Sequence, residues 1–296
     1  MDDDRHDREA LVREHYDAPP ELFSCFLDSW MNYSAAFFPE PAMTLEQAQE
    51  AKMEAYASWL LAAPESKILD VGCGWGSLAL YLALRRGSDV TGLTLSPNQA
   101  QYGMNRAKEE GMGSLVRTMV RPFLEYPLDN ESWDGISFIG SIVHMEERQE
   151  IMKRVAQALR PGGRLVISET YLPDHVGEGL DTRASHFILR DIFGYSHATT
   201  LSEELQAMEN AGLRVLRIEN STDDYVRTLE EWLVRLRRMR VTVESVQSGA
   251  YRNLRRYLQL GRASFRYGTM LQYEIVAERP QAVKRSSGKE NDSRTN

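Results

Sequence analysis

Apolar positions along this chain keep changing period. Short apolar runs alternate with stretches in which apolar side chains recur every three or four residues, which predicts strands separated by helices. Thr44-Leu-Glu-Gln47 reads as a capping box opening a helix, with Ala48, Ala51, Ala55, Trp59 and Leu60 on one face. Lys67 to Val71 predicts the first strand, and a helix holding Leu78, Leu80, Tyr81, Leu82 and Leu84 follows. A second strand, Asp89 to Leu95, closes at Ser96-Pro97, a serine N-cap with proline at the first helical position. That helix runs to about Glu110 and stops at Gly111. Further strands are predicted at Val116 to Val120, Asp134 to Ile139 and Arg164 to Ser168, the last after a turn at Arg160-Pro-Gly-Gly163.

This alternation predicts an α/β fold with a doubly wound, mostly parallel sheet, whose ligands lie beyond the carboxyl ends of the strands. After Thr170 the rhythm changes. A strand from Leu213 to Glu219, a largely helical stretch from Val226 to Phe265 and a last strand from Met270 to Ala277 bring the sheet to seven strands. The helices inserted before the last strand, at about 221–268, suit a substrate cap. The expected organisation is an N-terminal helical segment at 9–63 and a main domain at 64–279. Residues 1–8 and 280–296 hold too few apolar side chains to fold and are expected to be disordered. No internal repeat is visible.

Composition narrows the function classes. The chain has 296 residues, 42% hydrophobic and 26% charged, the usage of a globular protein. A net charge of −8 argues against nucleic acid as a partner. Only Cys25 and Cys73 are present, which fits a reducing, cytoplasmic setting rather than a disulfide framework. There is no long apolar run, so no integral membrane association is expected, and the acidic N-terminus does not read as a signal peptide. No His, Cys or carboxylate grouping has metal-ligand spacing. Homo-oligomerisation is left open.

The most informative stretch is Lys67-Ile-Leu-Asp-Val-Gly-Cys-Gly-Trp-Gly-Ser77. A strand runs into Asp70, Gly72, Gly74 and Gly76, and a helix starts at once, so the backbone can approach a nucleoside-bearing ligand closely. The D-x-G-x-G-x-G spacing differs from the dinucleotide fingerprint. It resembles the first motif of class I S-adenosylmethionine (SAM) methyltransferases, whose domain is Rossmann-like.

The resemblance extends over most of the chain. The segments Phe26 to Phe38, Thr44 to Lys52, Gly72-Cys-Gly-Trp-Gly76 and Val90 to Ser96 are similar to cyclopropane fatty acid synthases and mycolic acid methyltransferases. So are Phe187-Ile-Leu189, Thr228 to Trp232 and Tyr257 to Phe265, and plant coclaurine N-methyltransferases are similar too. The resemblance implies a SAM site. Tyr33 and Ser34 would contact the methionine end, with Asp70, Gly72 and Gly74 beneath it. Thr94 stands where most class I methyltransferases hold the ribose with an acidic residue, and Gln99 follows one helical turn on. Phe123 falls where the family has an aromatic beside the adenine. The plain alternatives are a core residue for Phe123, a helix cap for Thr94 and a solvated side chain for Gln99.

Departures from the family bear on the chemistry. Ring closure needs a base to take a proton from the added methyl, and the family holds a bicarbonate with Cys, Glu, His and Tyr side chains. Here the first three positions are Ala35, Val143 and Ser168, and only Tyr257 is kept. Glu169, where the family has threonine, ends the fifth strand and reads either as a protein-borne base or as a glutamate bonding loop amides. His144 reads either as a second acid/base or as a wall residue. His175, His186 and His197 are assigned no role, and Asp224 is expected in an exposed loop. Arg235, Arg237, Arg238, Arg240, Arg252, Arg255 and Arg256 read mainly as a solvated helix face. Phe37, Phe38, Tyr195, Trp232, Phe265 and Tyr267 can pack a core or line an acceptor pocket.

The leading expectation is a SAM-dependent methyltransferase adding a methyl to a small or lipid-like acceptor. Carbon is the expected target: an alkene, as in an isoprenoid chain, or an electron-rich ring. The alternatives are a cyclopropane fatty-acyl synthase that has replaced its bicarbonate ligands, a small-molecule N-methyltransferase and, last, a silent SAM-binding protein.

Overall fold

The computed structural model describes residues 9–13, 16–175 and 196–281. The ends expected to be disordered, together with His186, Phe187-Ile-Leu189 and Tyr195, lie outside or mostly outside these described residues. A seven-stranded sheet has the order β3-β2-β1-β4-β5-β7-β6. Its strands are β1 (Lys67–Val71), β2 (Asp89–Thr94), β3 (Val116–Val120), β4 (Trp133–Ile139), β5 (Leu159–Tyr171), β6 (Arg214–Asn220) and β7 (Leu271–Glu278). The first five run parallel, while β7 is antiparallel to both β5 and β6. Chain order reverses between β1 and β4, so the crevice beyond their carboxyl ends is a switch point that accepts ligands.

Ahead of the sheet come a short helix α1 (Pro20–Ser24) and α2 (Leu45–Trp59). The capping box at Thr44 and Gln47 is present. The buried face of α2 differs from the expected one: Ala51, Ala55 and Trp59 are only partly covered, while Gln49 and Lys52 are buried with Leu45, Ala48, Met53, Tyr56 and Ala57. A pattern of apolar residues cannot flag a polar side chain that is buried because it has a partner. Helices α3 (Ser77–Arg86) and α4 (Pro97–Glu109) follow β1 and β2, and Ser96 caps α4 by accepting from the Gln99 N–H.

Two further expectations are corrected. The segment Arg160 to Gly163 is not a free turn but part of β5, whose Leu159 pairs with Trp133 across a register shift. β5 also continues past Ser168 to Tyr171, because β7 pairs with it along its full length, Glu169 lying opposite Tyr273. Beyond Ala158, which ends α5 (Arg148–Ala158), the chain passes through β5 to α6 (Leu201–Asn210). The inserted helices are α7 (Thr222–Arg238), α8 (Arg240–Val246) and α9 (Ala250–Arg266). Asp224 therefore sits half-buried in the first turn of α7, not in an exposed loop, and accepts the Phe38 N–H at 3.3 Å.

Three apolar clusters hold these layers. Two cover the faces of the sheet, around Phe138, Ile151 and Ile167 and around Tyr56, Leu82 and Val90. The third joins α1, the glycine loop and the inserted helices through Phe23, Phe26, Trp75, Trp232 and Phe265. Close packing also fixes β2 under the loop. A Cβ added at Gly92 would lie 2.7 Å from Cys73 Sγ, nearer than atoms pack. Gly92→Ala is expected to cost about 1–3 kcal/mol in urea unfolding. Adding Cys73→Ala should recover part of that loss; an unchanged midpoint in the single variant would contradict the packing.

Candidate active site

Two adjoining cavities open at the carboxyl ends of β1, β2, β4 and β5. The outer one, about 190 Å³, is lined by Tyr33, Ser34, Asp70, Gly72, Gly74, Thr94, Gln99 and Phe123 among others. The inner one, about 30 Å³, is lined by Tyr16, Tyr33, Tyr225, Tyr257, Ala35, Val143, His144 and Glu169 among others. Tyr16, Tyr33, Ser34, Gly140 and His144 line both and form the partition. The structure thus brings all eleven sequence-predicted site residues together, in two groups that share a wall.

The outer cavity is built on a backbone reversal. Gly72 has a φ of 74°, and a Cβ there would fall 2.2 Å from Ser141 Cβ. The N–H groups of Gly72 and Cys73 both donate to the Leu93 carbonyl, at 2.8 and 2.9 Å. A Cβ added at Gly74 would meet nothing within 4 Å, so this glycine presents bare backbone. Asp70 is buried, accepts from Ser137 Oγ at 2.9 Å, and is pushed up to about 6 by burial. Thr94 Oγ1 donates to Gln99 Oε1 at 2.8 Å, and both side chains are buried. The plain alternatives for this pair fail: the helix cap is Ser96, and Gln99 is not solvated. Phe123 is core and wall at once, packed edge-on against Phe138 and lining the cavity.

Tyr33 and Ser34 sit in a loop clamped from two sides. From α7, Thr228 Oγ1 accepts the Ala36 N–H at 2.9 Å, beside the contact of Asp224 with Phe38. From α2, Gln49 Nε2 donates to the Ser34 carbonyl at 3.0 Å and Lys52 Nζ donates to Ser34 Oγ at 2.8 Å. The Tyr33 ring is wedged among Phe23, Phe26 and Trp232.

The inner cavity is a nest of ionisable groups. Glu169 is 2% exposed, and its carboxylate accepts the N–H groups of Val143 at 3.0 Å and Thr170 at 2.7 Å. Burial pushes it up to about 7, outweighing those two bonds. Glu169 therefore both bonds loop amides and lines the cavity. Burial also holds the hydroxyls of Tyr16, Tyr33, Tyr225 and Tyr257 well above their ordinary range, so all four stay protonated at neutral pH. Ser168 does not line this cavity; its hydroxyl donates to Glu274 on the side towards α2. The loop carrying Val143 and His144 is fixed by Arg148, which bonds the Ile142 and Met145 carbonyls and pairs with the buried Glu204 at 2.9 Å.

Sequence reasoning missed Tyr16, whose hydroxyl meets His144 Nε2 at 3.1 Å. Its neighbour Asp17 accepts from Ser96 Oγ at 2.6 Å and from the Asn98 N–H at 3.1 Å, pinning the N-terminal segment over the cavities. An Asp-capped tie between segments this distant leaves no local pattern. Tyr225 was missed as well, although it stands beside Asp224 and one turn ahead of Thr228. Among the described residues, no cluster of His, Cys, Asp and Glu could hold a metal ion, and no helix is long and apolar enough to cross a membrane.

The profile of the mycolic acid cyclopropane synthetase family matches residues 3–275. The chain belongs to that family. It is thereby an enzyme of the SAM-dependent methyltransferase class. The probable fatty acid methyltransferase of Pseudomonas putida is 31% identical over 284 residues, 95% of this chain and 71% of that protein. Cyclopropane mycolic acid synthase 2 of Mycobacterium leprae is 32% identical over 76% of this chain and 79% of its own length. A crystal structure of a mycolic acid cyclopropane synthase complexed with SAH and CTAB superposes with a TM-score of 0.85 at 25% identity, covering 91% of this chain and 98% of that one.

The buried carboxyls make a prediction about pH. Glu169 and Glu274 are each raised from 4.5 to about 7. The folded state thus binds more protons than the unfolded state across that window, and stability falls as pH rises through it, by up to about 1.4 kcal/mol per pH unit per group. Urea unfolding at about pH 5 should show a larger free energy than at about pH 8, and Glu274→Gln should flatten the slope. Stability that rises over this range would contradict the assignment.

Proposed function

We propose that this enzyme transfers one carbon from SAM to the alkene of a fatty-acyl or similarly lipid-like acceptor, with Glu169 taking up the proton released. The observation that carries the reading is a raised, buried carboxylate in a tyrosine-lined cavity that shares a wall with the glycine-loop cavity.

The outer cavity suits the donor. Gly72 and Gly74 admit it against bare backbone, and Ser34 and Tyr33 would meet its methionine end. Gln99, its oxygen engaged by Thr94, keeps its amide N–H groups for a ribose hydroxyl. Phe123 would lie beside the adenine. When bound, the donor supplies an electrophilic methyl. Attack by the alkene π pair on that methyl breaks its bond to sulfur and leaves a positive charge on the acceptor. The faces of Tyr33, Tyr225 and Tyr257 can shelter that charge, and the cap excludes water that would quench it. Loss of a proton from the added methyl to Glu169 lets the C–H pair close a cyclopropane ring. A carboxyl held near 7 is matched to taking a proton at neutral pH and giving it up again. His144, joined to Tyr16 in the partition, would pass the proton outward.

The names of the relatives, fatty acid methyl transfer and mycolic acid cyclopropanation, support this alternative more than the isoprenoid-like methylation placed first by the sequence. A second reading keeps the methyl and loses the proton from a neighbouring carbon. Ala35 and Val143 keep it open, because neither side chain can hydrogen-bond the bicarbonate that the resemblance links to ring closure.

Donor carrying a trideuterated methyl separates the two. Ring closure leaves two deuterium atoms in the product, and methyl retention leaves all three. Glu169→Gln should lower turnover at least about a hundredfold while S-adenosylhomocysteine affinity stays within about twofold of wild type. Full activity in that variant would remove Glu169 from the mechanism.

A further inference from the structure

The mechanism above leaves one buried charge unused. Lys52 is 1% exposed on the inner face of α2, and its one hydrogen bond among the described residues is the donation to Ser34 Oγ at 2.8 Å. It forms no ion pair there. The two carboxylates whose charge it feels are Asp28 and Glu274. Asp28 is engaged by the Trp30 and Asn32 N–H groups and the Asn32 amide. Glu274 accepts the hydroxyls of Tyr56, Ser168 and Ser221. An ammonium with three donors is thus shut from water with a single neutral acceptor, an arrangement that costs stability.

Geometry says where that charge acts. Ser34 lines both cavities, and its oxygen accepts from Lys52, which leaves its own O–H available to donate into the site. Gln49, one turn before Lys52 on α2, fixes the Ser34 carbonyl, so the backbone cannot swing away. The result is a hydroxyl donor polarised from behind by a positive charge, which suits an anion. Arg121, the one lysine or arginine lining the outer cavity among the described residues, follows β3 two residues before Phe123.

We infer that Lys52 and Ser34 form the element that recognises the donor's carboxylate, Lys52 acting through Ser34 as a positioning residue. This rests on the proposed donor site. A cation placed here must address the carboxylate, because the donor's amine and sulfonium are themselves positive.

The test compares S-adenosylhomocysteine with its decarboxylated amine analogue, by calorimetry, on wild type, Lys52→Met and Ser34→Ala. Lys52→Met should weaken S-adenosylhomocysteine about tenfold to a hundredfold and leave the analogue within about twofold. Ser34→Ala should show the same selectivity, and the double variant should lose little more than either single one. In turnover, Lys52→Met should raise KM for the donor with kcat nearly unchanged. Equal weakening of both ligands, or none, would overturn the inference while the donor site stands. Wild type that binds neither ligand would overturn the donor site itself, and this inference with it.

Discussion

Burial of ionisable groups beneath the inserted helices is the constraint on which this site depends. Glu169, Glu274 and Lys52 are all nearly inaccessible: Glu169 lines the inner cavity with Tyr16, Tyr33, Tyr225 and Tyr257, while Glu274 and Lys52 are buried on the side towards α2. Each charge taken out of water needs a compensating partner or a shift towards its neutral form. The structure uses both routes. Glu274 collects three hydroxyl donors and Glu169 two backbone donors, yet both carboxyls still rise to about 7. Water is kept out by the aromatic cluster of Phe23, Phe26, Trp75 and Trp232, which joins α7 to the glycine loop.

This constraint explains why the loop from Tyr33 to Phe38 is held so firmly. It runs between α2 and α7, and both helices spend side chains on its backbone: Gln49 from one, Thr228 and Asp224 from the other. A loop tied this way couples the cap to the sheet. Tyr16 and Asp17 extend the coupling to the N-terminal segment, which ties to the start of α4 and to His144. Each wall of the inner cavity thus comes from a different part of the chain, and closing it assembles the whole set.

The fold was legible in the sequence because its signals are local. The capping box at Thr44, the serine cap and proline at Ser96-Pro97, and the glycine loop after Val71 each act within a few residues. What the pattern misplaced depended on distant partners. β5 runs on to Tyr171 with β7 paired along it, and Lys52 is buried with Ser34 across from it. The outer cavity was readable through motif residues, as the gathering of Gly72, Thr94, Gln99 and Phe123 illustrates. The inner one was half readable. Glu169 stood out as a departure from the family pattern and Tyr257 as a position it keeps, whereas Tyr16 and Tyr225 enter by tertiary packing that no local spacing encodes.

If Glu169 takes the place of a bound anion, as proposed above, a definite physical consequence follows. A bicarbonate base held by several side chains, as the resemblance implies for the family, would occupy its site according to its concentration. A carboxylate borne on β5 is present in every molecule, and its position is set by two backbone N–H groups. The entropy of capturing the ion is then no longer paid. The reach of the base, however, is fixed by the strand rather than by the cavity. Which C–H bond of a cationic acceptor loses its proton would, under the proposal, be decided by that fixed reach. With Glu169 as the proposed base, ring closure and methyl retention would differ in where the acceptor chain is seated against it, not in the kind of base. A cavity of about 30 Å³ has room for a water or two beside the carboxylate, far less than an acyl chain. Only the reacting carbons would enter it, and the remainder of the acceptor would lie outside, so the seating of those few atoms sets the product.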